Sequence, residues 1–351
     1  MPKRKGYLYD RMLDEAFIRE VILKACKHRY DRSDVARVMR NIDLVIEKVK
    51  YILEHDDEYE PSPYHERLRF DESSQKYRTI RTVPFNPDCI IQWLIVEQLK
   101  SVFMKSMDYW CSASIPGRGG SHVYRGIKRF IKHHPKSAKY GAQADVRHYY
   151  DTIDIDKLMQ LLRRRIKDER FLRLVEKVVR ASSEDGNTGI GIGYNLNQWL
   201  ANFFLEEIDR MIREDGSVKF YARYMDNMTF IGSNKRKLRK LLKKIDMALH
   251  AIGLELKYDW QVFPIESRAI QAVGYRYFSN GKTILRKRNW LKLRRQILRI
   301  ITKQRIDKQI PPKQARAFMS RFGSMKKFAP SRRIFQMAQY IDFADLRRKA
   351  A

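Results

Sequence analysis

The chain has 351 residues, 44 % of them apolar, with 72 Lys+Arg against 41 Asp+Glu and a formal charge of +31. That length exceeds one small core and predicts two or three subdomains, while the charge predicts a polyanionic partner, nucleic acid before an anionic membrane surface. No run of 18 apolar residues occurs and no apolar stretch follows the basic start, so neither a spanning helix, nor a membrane partner, nor a signal peptide is expected.

The chain opens on Pro2-Lys3-Arg4-Lys5, which has the composition of a nuclear signal but reads more simply as a frayed basic terminus. From about 10 to 55 the pattern is helical: Val35, Val38, Met39, Ile42, Val45, Ile46, Val49 and Ile52 recur at three- and four-residue steps. Pro61-Ser62-Pro63 closes that region. Residues 64–85 predict a β-hairpin turning through Asp71-Glu72-Ser73-Ser74. A helix is expected after Pro87-Asp88, a loop at Gly117-Arg118-Gly119-Gly120, and another helix from about Ser121.

Residues 141–280 predict alternating strands and helices. A strand over 141–147 leads to a helix from Ile155, for which Asp154 is the expected N-cap. A glycine-rich strand (Gly189, Gly191, Gly193) leads to a helix over about 195–213. A hairpin of 218–224 and 228–232 follows. The next helix carries Leu238, Leu241, Leu242, Ile245, Leu249 and Ile252 on one face, with Asn234 as N-cap and Gly253 after its end. Strands near 261–265 and 270–277 complete a βαββαβ order. From Lys282 to Ala351 there are 21 Lys+Arg and 3 Asp+Glu, in a helical pattern with Trp290, Leu293, Ile297, Ile300 and Ile301 on one apolar face. Such a segment suits phosphate contacts. Cys26, Cys89 and Cys111 are too widely spaced for a metal site or a disulfide framework, which points to a reducing, cytoplasmic setting.

Two acids stand out. Asp145 ends an apolar strand within Ala144-Asp145-Val146-Arg147-His148-Tyr149-Tyr150, and Asp226 sits at a hairpin turn in Tyr224-Met225-Asp226-Asn227. Carboxylates from two strand ends can share a pair of divalent cations about 3.5–4 Å apart, which clamp an attacking and a leaving oxygen. Mg²⁺ favours such hard oxygen donors and keeps waters that substrate phosphates can replace. Asp226-Asn227 is equally an ordinary pair for a two-residue hairpin turn.

In their order and spacing these segments resemble the reverse transcriptase family. Gly189-Ile190-Gly191-Ile192-Gly193-Tyr194-Asn195-Leu196-Asn197-Gln198 resembles the segment that packs on the template base and incoming nucleotide. Its Ile192 and Gln198 match the variant of diversity-generating retroelements, whereas Asn197 replaces that variant's Ser. Val273-Gly274-Tyr275 resembles the primer grip, Gln75-Lys76-Tyr77-Arg78 the triphosphate-facing fingers motif, and Gly117 to His122 a second fingers loop. The resemblance runs from about 64 to 330. It implies an α+β right-hand polymerase: an N-terminal helical extension (1–63), fingers (64–140), a βαββαβ palm (141–280) and a basic helical thumb (281–351).

The roles it implies follow position by position. Asp145 and Asp226, with the Val146 carbonyl, would ligate Mg²⁺ (or Mn²⁺). Arg78, assisted by Lys76 or Arg118, would hold the triphosphate. Tyr150 would be the steric gate against a ribose 2′-hydroxyl, and Ile192, Gly193 and Gln198 would line the nucleotide and template pocket. Lys257 aligns only loosely with the family's general acid. Asn227 stands where the family has a second Asp, so one negative charge is missing from the site. The implied partners are an RNA template, a DNA or RNA primer, dNTPs and a small helical accessory protein. The implied activity is RNA-directed DNA polymerisation in a bacterial or phage retroelement, with two alternatives: a domesticated enzyme of antiphage defence, and a non-catalytic RNA-binding relative. A group II intron maturase is less expected, because that reading calls for a long extension after the thumb.

Overall fold

The computed structural model describes residues 4–71, 76–306 and 308–350. Glu72, Ser73 and Ser74 of the expected hairpin turn, Gln75 of the expected fingers motif, and Pro2-Lys3 of the basic start, lie outside them. In chain order the elements are α1 (Glu15–Cys26), α2 (Ser33–Arg40), α3 (Ile42–Glu54), β1 (His65–Asp71), β2 (Lys76–Thr82), α4 (Ile90–Phe103) and α5 (Gly120–His133). Then come β3 (Tyr140–Asp145), α6 (Ile155–Arg163), α7 (Glu169–Arg180), α8 (Asn195–Phe204), α9 (Glu206–Glu214), β4 (Phe220–Tyr224) and β5 (Asn227–Gly232). The remainder is α10 (Lys235–Ala251), β6 (Gln261–Pro264), β7 (Ile270–Ala272), β8 (Tyr275–Tyr277), β9 (Thr283–Leu285), α11 (Lys287–Arg305), α12 (Pro312–Phe328), α13 (Arg332–Ala338) and α14 (Phe343–Ala350).

The chain divides into two compact units. The first comprises Met1–Ser114, Asp145–Glu214 and Leu242–Tyr258. Its centre is α4, which is apolar around most of its circumference (Ile90, Ile91, Leu94, Ile95, Val96, Leu99, Phe103) and therefore packs on more than one side, against α1 and against α8. Phe103 stacks on Phe203 of α8 at 4.5 Å between ring centroids. Three helix starts are set by side-chain caps. Asp14 accepts from the Phe17 amide at 2.7 Å, Asp154 from Lys157 at 2.9 Å and Asp168 from Phe171 at 3.0 Å.

The second unit comprises Ile115–Ala144, Asp215–Leu241 and Asp259–Ala351. Its larger sheet has the order β4-β5-β3-β6, the strand order of a split βαββαβ motif, and α5 packs on β4. A smaller sheet, β7-β8-β9, leads into the C-terminal helices. There Leu293, Ile297, Ile300, Phe318, Met325 and Ile334 share one core, with Trp290 and Ile301 packed against it, so the apolar face read in the sequence is the inner face of a bundle.

Three expectations are corrected. The glycine-rich segment forms no strand: Gly189 and Gly193 have φ of 79° and 127°, outside the strand region. The single helix expected over 195–213 is two, because the backbone leaves helical geometry at Leu205 and buried Glu206 then meets Arg165 at 2.7 Å. The strand expected over 270–277 is folded in two at Val273-Gly274, which closes the tight β7–β8 hairpin. Asn234 does cap α10, accepting from the Lys237 amide at 3.0 Å, and Gly253 follows its end with φ 83°.

Candidate active site

The β4–β5 hairpin closes tightly. Tyr224 pairs with Asn227, so the two turn residues are Met225 and Asp226, one position earlier than an Asp226-Asn227 turn. Met225 takes a left-handed φ of 56°. Its carbonyl accepts from Arg223 Nη1 at 2.9 Å, and Arg223 is the largest fully buried side chain among the described residues. A buried guanidinium thus braces the turn that carries Asp226. Asp226 is half-buried and Asn227 exposed. Arg223 was missed in the sequence. Its one signal is a charged residue inside the otherwise apolar and aromatic strand Phe220-Tyr221-Ala222-Arg223-Tyr224.

Asp145 is the last residue of β3 and half-buried. Beyond it the chain runs antiparallel to residues 255–257. The Lys257 amide donates to the Asp145 carbonyl (2.8 Å) and the Arg147 amide to the Glu255 carbonyl (2.9 Å), with buried Val146 bridging Leu256. The Lys257 ammonium is ion-paired with the Asp145 carboxylate. His148, with φ 45°, then starts a 3-10 turn over Tyr149–Thr152. The buried Tyr149 anchors that turn through its hydroxyl on the Ala201 carbonyl, while Tyr150 is half-buried with its ring edge-on to Tyr149 at 5.8 Å.

The glycine segment is held on both sides by backbone. The Ile190 amide donates to the Tyr150 carbonyl at 2.8 Å, and the Arg81 amide of β2 donates to the Ile192 carbonyl at 2.7 Å. Tyr150, Ile192 and Gly193 are therefore tied to one another and to the β1–β2 hairpin. A Cβ on Gly193 would fall 2.2 Å from the Arg81 carbonyl oxygen. Asn197, the departure from the family's Ser, is fully buried. Its Nδ2 donates to Ser182 Oγ at 2.8 Å and to the Gly191 carbonyl at 3.0 Å. Gln198 is half-buried and accepts from the Ser114 hydroxyl at 2.7 Å.

Register sorts the β1–β2 hairpin into two faces. Arg67, Arg69, Lys76 and Arg78 alternate onto one; Leu68, Phe70, Tyr77 and Thr79 onto the other. Both are in solvent: Lys76 and Arg78 are exposed, as are Leu68 (74 %) and Tyr77 (71 %). Arg78 Nε reaches Asp71 at 2.9 Å. Arg81, not singled out in the sequence, anchors the hairpin base. It donates to Glu66 (3.0 Å) and the Ser182 carbonyl (2.8 Å), is ion-paired with Glu184, and lies 4.5 Å over the Tyr64 ring.

At the expected primer grip, the turn residues Val273 and Gly274 both have positive φ, 43° and 87°. That pattern is a type I′ hairpin turn, and it is strained at a β-branched residue. The Gly274 carbonyl accepts from the Arg286 amide (3.0 Å) and Asn289 Nδ2 (3.1 Å). Tyr275 packs edge-on to Tyr124 of α5 (5.1 Å) and against Phe328 at the end of α12. Burial, then Tyr124, pushes its phenol above the ordinary range.

Asp145, Val146, Lys76, Arg78, Tyr150, Ile192, Gly193 and Gln198 belong to the first unit, and Asp226, Asn227, Val273, Gly274 and Tyr275 to the second. Among the described residues no three His, Cys, Asp or Glu side chains gather as a metal cage. A donor set of isolated carboxylates suits an ion that keeps most of its positions for water and substrate oxygens, as Mg²⁺ does.

A split βαββαβ sheet with acids at a strand end and at a hairpin turn defines a right-hand polymerase of the α+β class. The chain belongs to the reverse transcriptase (RNA-dependent DNA polymerase) family, whose model matches residues 70–276. It is 25 % identical over 163 residues to Protein YkfC of Escherichia coli, covering 44 % of this chain and 42 % of that one. It is also 25 % identical over 219 residues to the group II intron-encoded protein LtrA of Lactococcus lactis, covering 60 % and 35 %. The chain thus spans less than half the length of these curated relatives. Telomerase from Candida albicans, with a fragment of telomeric RNA, aligns at 10 % identity and a TM-score of 0.47 over 84 % of this chain and 61 % of that one. Apo telomerase from Candida tropicalis gives 11 % and 0.49 over 83 % and 62 %. No helix among the described residues is long and apolar enough to cross a membrane.

Proposed function

We propose that the chain is an RNA-directed DNA polymerase whose reaction centre is Asp145 and Asp226. The observation that carries this reading is the braced Met225-Asp226 turn. A buried arginine and a left-handed non-glycine residue are a costly way to build a hairpin, and such features mark positions fixed for function. In the proposed reaction the primer 3′-oxygen attacks the α-phosphorus of a dNTP, a new P–O bond forms, and pyrophosphate leaves. Asp145 and Asp226, with the Val146 carbonyl, would hold Mg²⁺ (or Mn²⁺), which when bound stabilises the attacking and leaving oxygens. Arg78 and Lys76 hold the triphosphate. Tyr150 screens the sugar, and Ile192, Gly193 and Gln198 line the base pocket. Val273, Gly274 and Tyr275 position the primer end, and the basic C-terminal bundle grips the duplex backbone of an RNA template and a DNA or RNA primer. Ile192 and Gln198 favour a bacterial or phage retroelement of the diversity-generating kind, with a small helical accessory protein. A nearby variable repeat pair in the genome tests that setting against antiphage defence.

A second reading is favoured by one residue. Asn227 offers a neutral oxygen where a carboxylate would add charge, so the chain would bind RNA with little or no turnover. The test is Mg²⁺- or Mn²⁺-dependent dNTP incorporation on a primed RNA template. Incorporation that Asp226→Ala abolishes supports the polymerase. Incorporation only after Asn227→Asp supports the silenced hand. Neither form incorporating while RNA affinity persists overturns the active-polymerase reading.

A further inference from the structure

We propose that the outer face of α10 binds the phosphate backbone of a nucleic-acid duplex, separately from the residues assigned to catalysis. Between Lys235 and Lys244 seven of ten residues are Lys or Arg and none is acidic. Leu238, Leu241, Leu242, Ile245 and Leu249 are buried, which fixes the inward arc of the helix. Arg236, Lys237, Arg239, Lys240, Lys243 and Lys244 are all exposed and fall on the opposite arc.

At 1.5 Å rise per residue this run carries one positive charge per about 2 Å of axis, close to the one negative charge per about 1.7 Å of a duplex. Arg236 and Lys240, Arg239 and Lys243, and Lys240 and Lys244 stand four residues apart, an arrangement of like charges that destabilises a helix on its own. Some helix cations elsewhere are tied down. Arg170 meets Asp56 at 2.7 Å, Lys24 meets Glu20 at 2.7 Å, and Lys177 donates to the carbonyls of Asp56, Asp57 and Tyr59. Among the described residues, Arg236, Lys237, Arg239, Lys240 and Lys243 have no ion-pair partner. Uncompensated charge at duplex density, on a face the fold does not use, fits a polyanion whose own charges are as closely spaced.

The test is equilibrium binding of the full chain to a fluorescent RNA hairpin, and to a DNA hairpin of the same sequence, across a salt series. Arg236→Gln/Arg239→Gln/Lys240→Gln removes three charges while keeping good helix formers. Lys27→Gln/Lys48→Gln/Lys105→Gln removes three charges outside α10. The α10 variant should bind about tenfold or more weakly at 150 mM salt and lower the slope of log affinity against log salt by about 2–3, with the other variant leaving the slope unchanged. Loss on RNA and DNA alike supports backbone recognition, and loss on RNA alone supports it with a preference for A-form geometry. Equal behaviour of the two variants overturns it, as does a loss confined to phosphatidylserine vesicles. The readout is binding with unchanged thermal unfolding, so an inactive polymerase leaves the proposal standing.

Discussion

Gly193 shows how tightly one residue can be specified. Its φ of 127° and the 2.2 Å approach that a Cβ would make to the Arg81 carbonyl leave no room for a methyl group. Gly193→Ala should cost about 2–4 kcal/mol in urea unfolding, because both the strain and the clash must be relieved by moving β2. Val273 is the opposite case, a β-branched side chain held at φ 43°. Val273→Asn should raise stability by about 1 kcal/mol in the same assay, since Asn tolerates the left-handed region. Asn197 bridges Ser182 and Gly191 from within the core, and Asn197→Ala should cost about 1–3 kcal/mol by leaving the Gly191 carbonyl unmet. The motif letters of this segment were legible in the sequence. That Asn197 braces the loop was not, because the Ser182 it meets is fifteen residues away on no shared period.

At the scale of elements, the β1–β2 hairpin is exposed along most of its length and held at its base by Arg81. Arg81→Gln removes the contacts to Glu66 and Glu184 and weakens the tie to the Ser182 carbonyl. Amide exchange over 65–71 and 76–82 should then accelerate at least tenfold while the amides of α4 keep their protection, since the hairpin would open without the core. Periodicity and turn residues located this hairpin, but they could not tell which of its arginines is anchored. Alternation puts Arg78 and Arg81 on opposite faces, and only the packing of the 182–193 segment engages Arg81. The same limit explains the glycine segment. Alternating apolar residues and glycines read as a strand, whereas positive φ at Gly189 and Gly193 is a backbone property that sequence spacing does not carry.

For the whole molecule, charge and core set the expectations. If the chain grips a duplex through six or more phosphates, its affinity should fall about a thousandfold or more between 50 and 200 mM salt, checked by the same binding series. A shallow dependence would mean that the +31 charge serves another partner. The C-terminal helices are basic outside yet share a real core, so Phe318→Ala should cost about 3–5 kcal/mol and lower nucleic-acid affinity with it, measured by unfolding and binding on one preparation.

The sequence by itself determined the β1–β2 and β4–β5 hairpins, the helix caps at Asp154 and Asn234, the apolar stripe of the C-terminal bundle and the family, because caps, periods and motifs are local and survive in one dimension. The tertiary structure alone decided that Met225 and Asp226 are the turn, that Arg223 is buried beneath it, that Lys257 pairs with Asp145, and that 270–277 folds back at Val273. Those are matters of register and long-range pairing. A shift of one residue reverses every side chain of a strand, and only the packed neighbours fix which register has the lowest free energy.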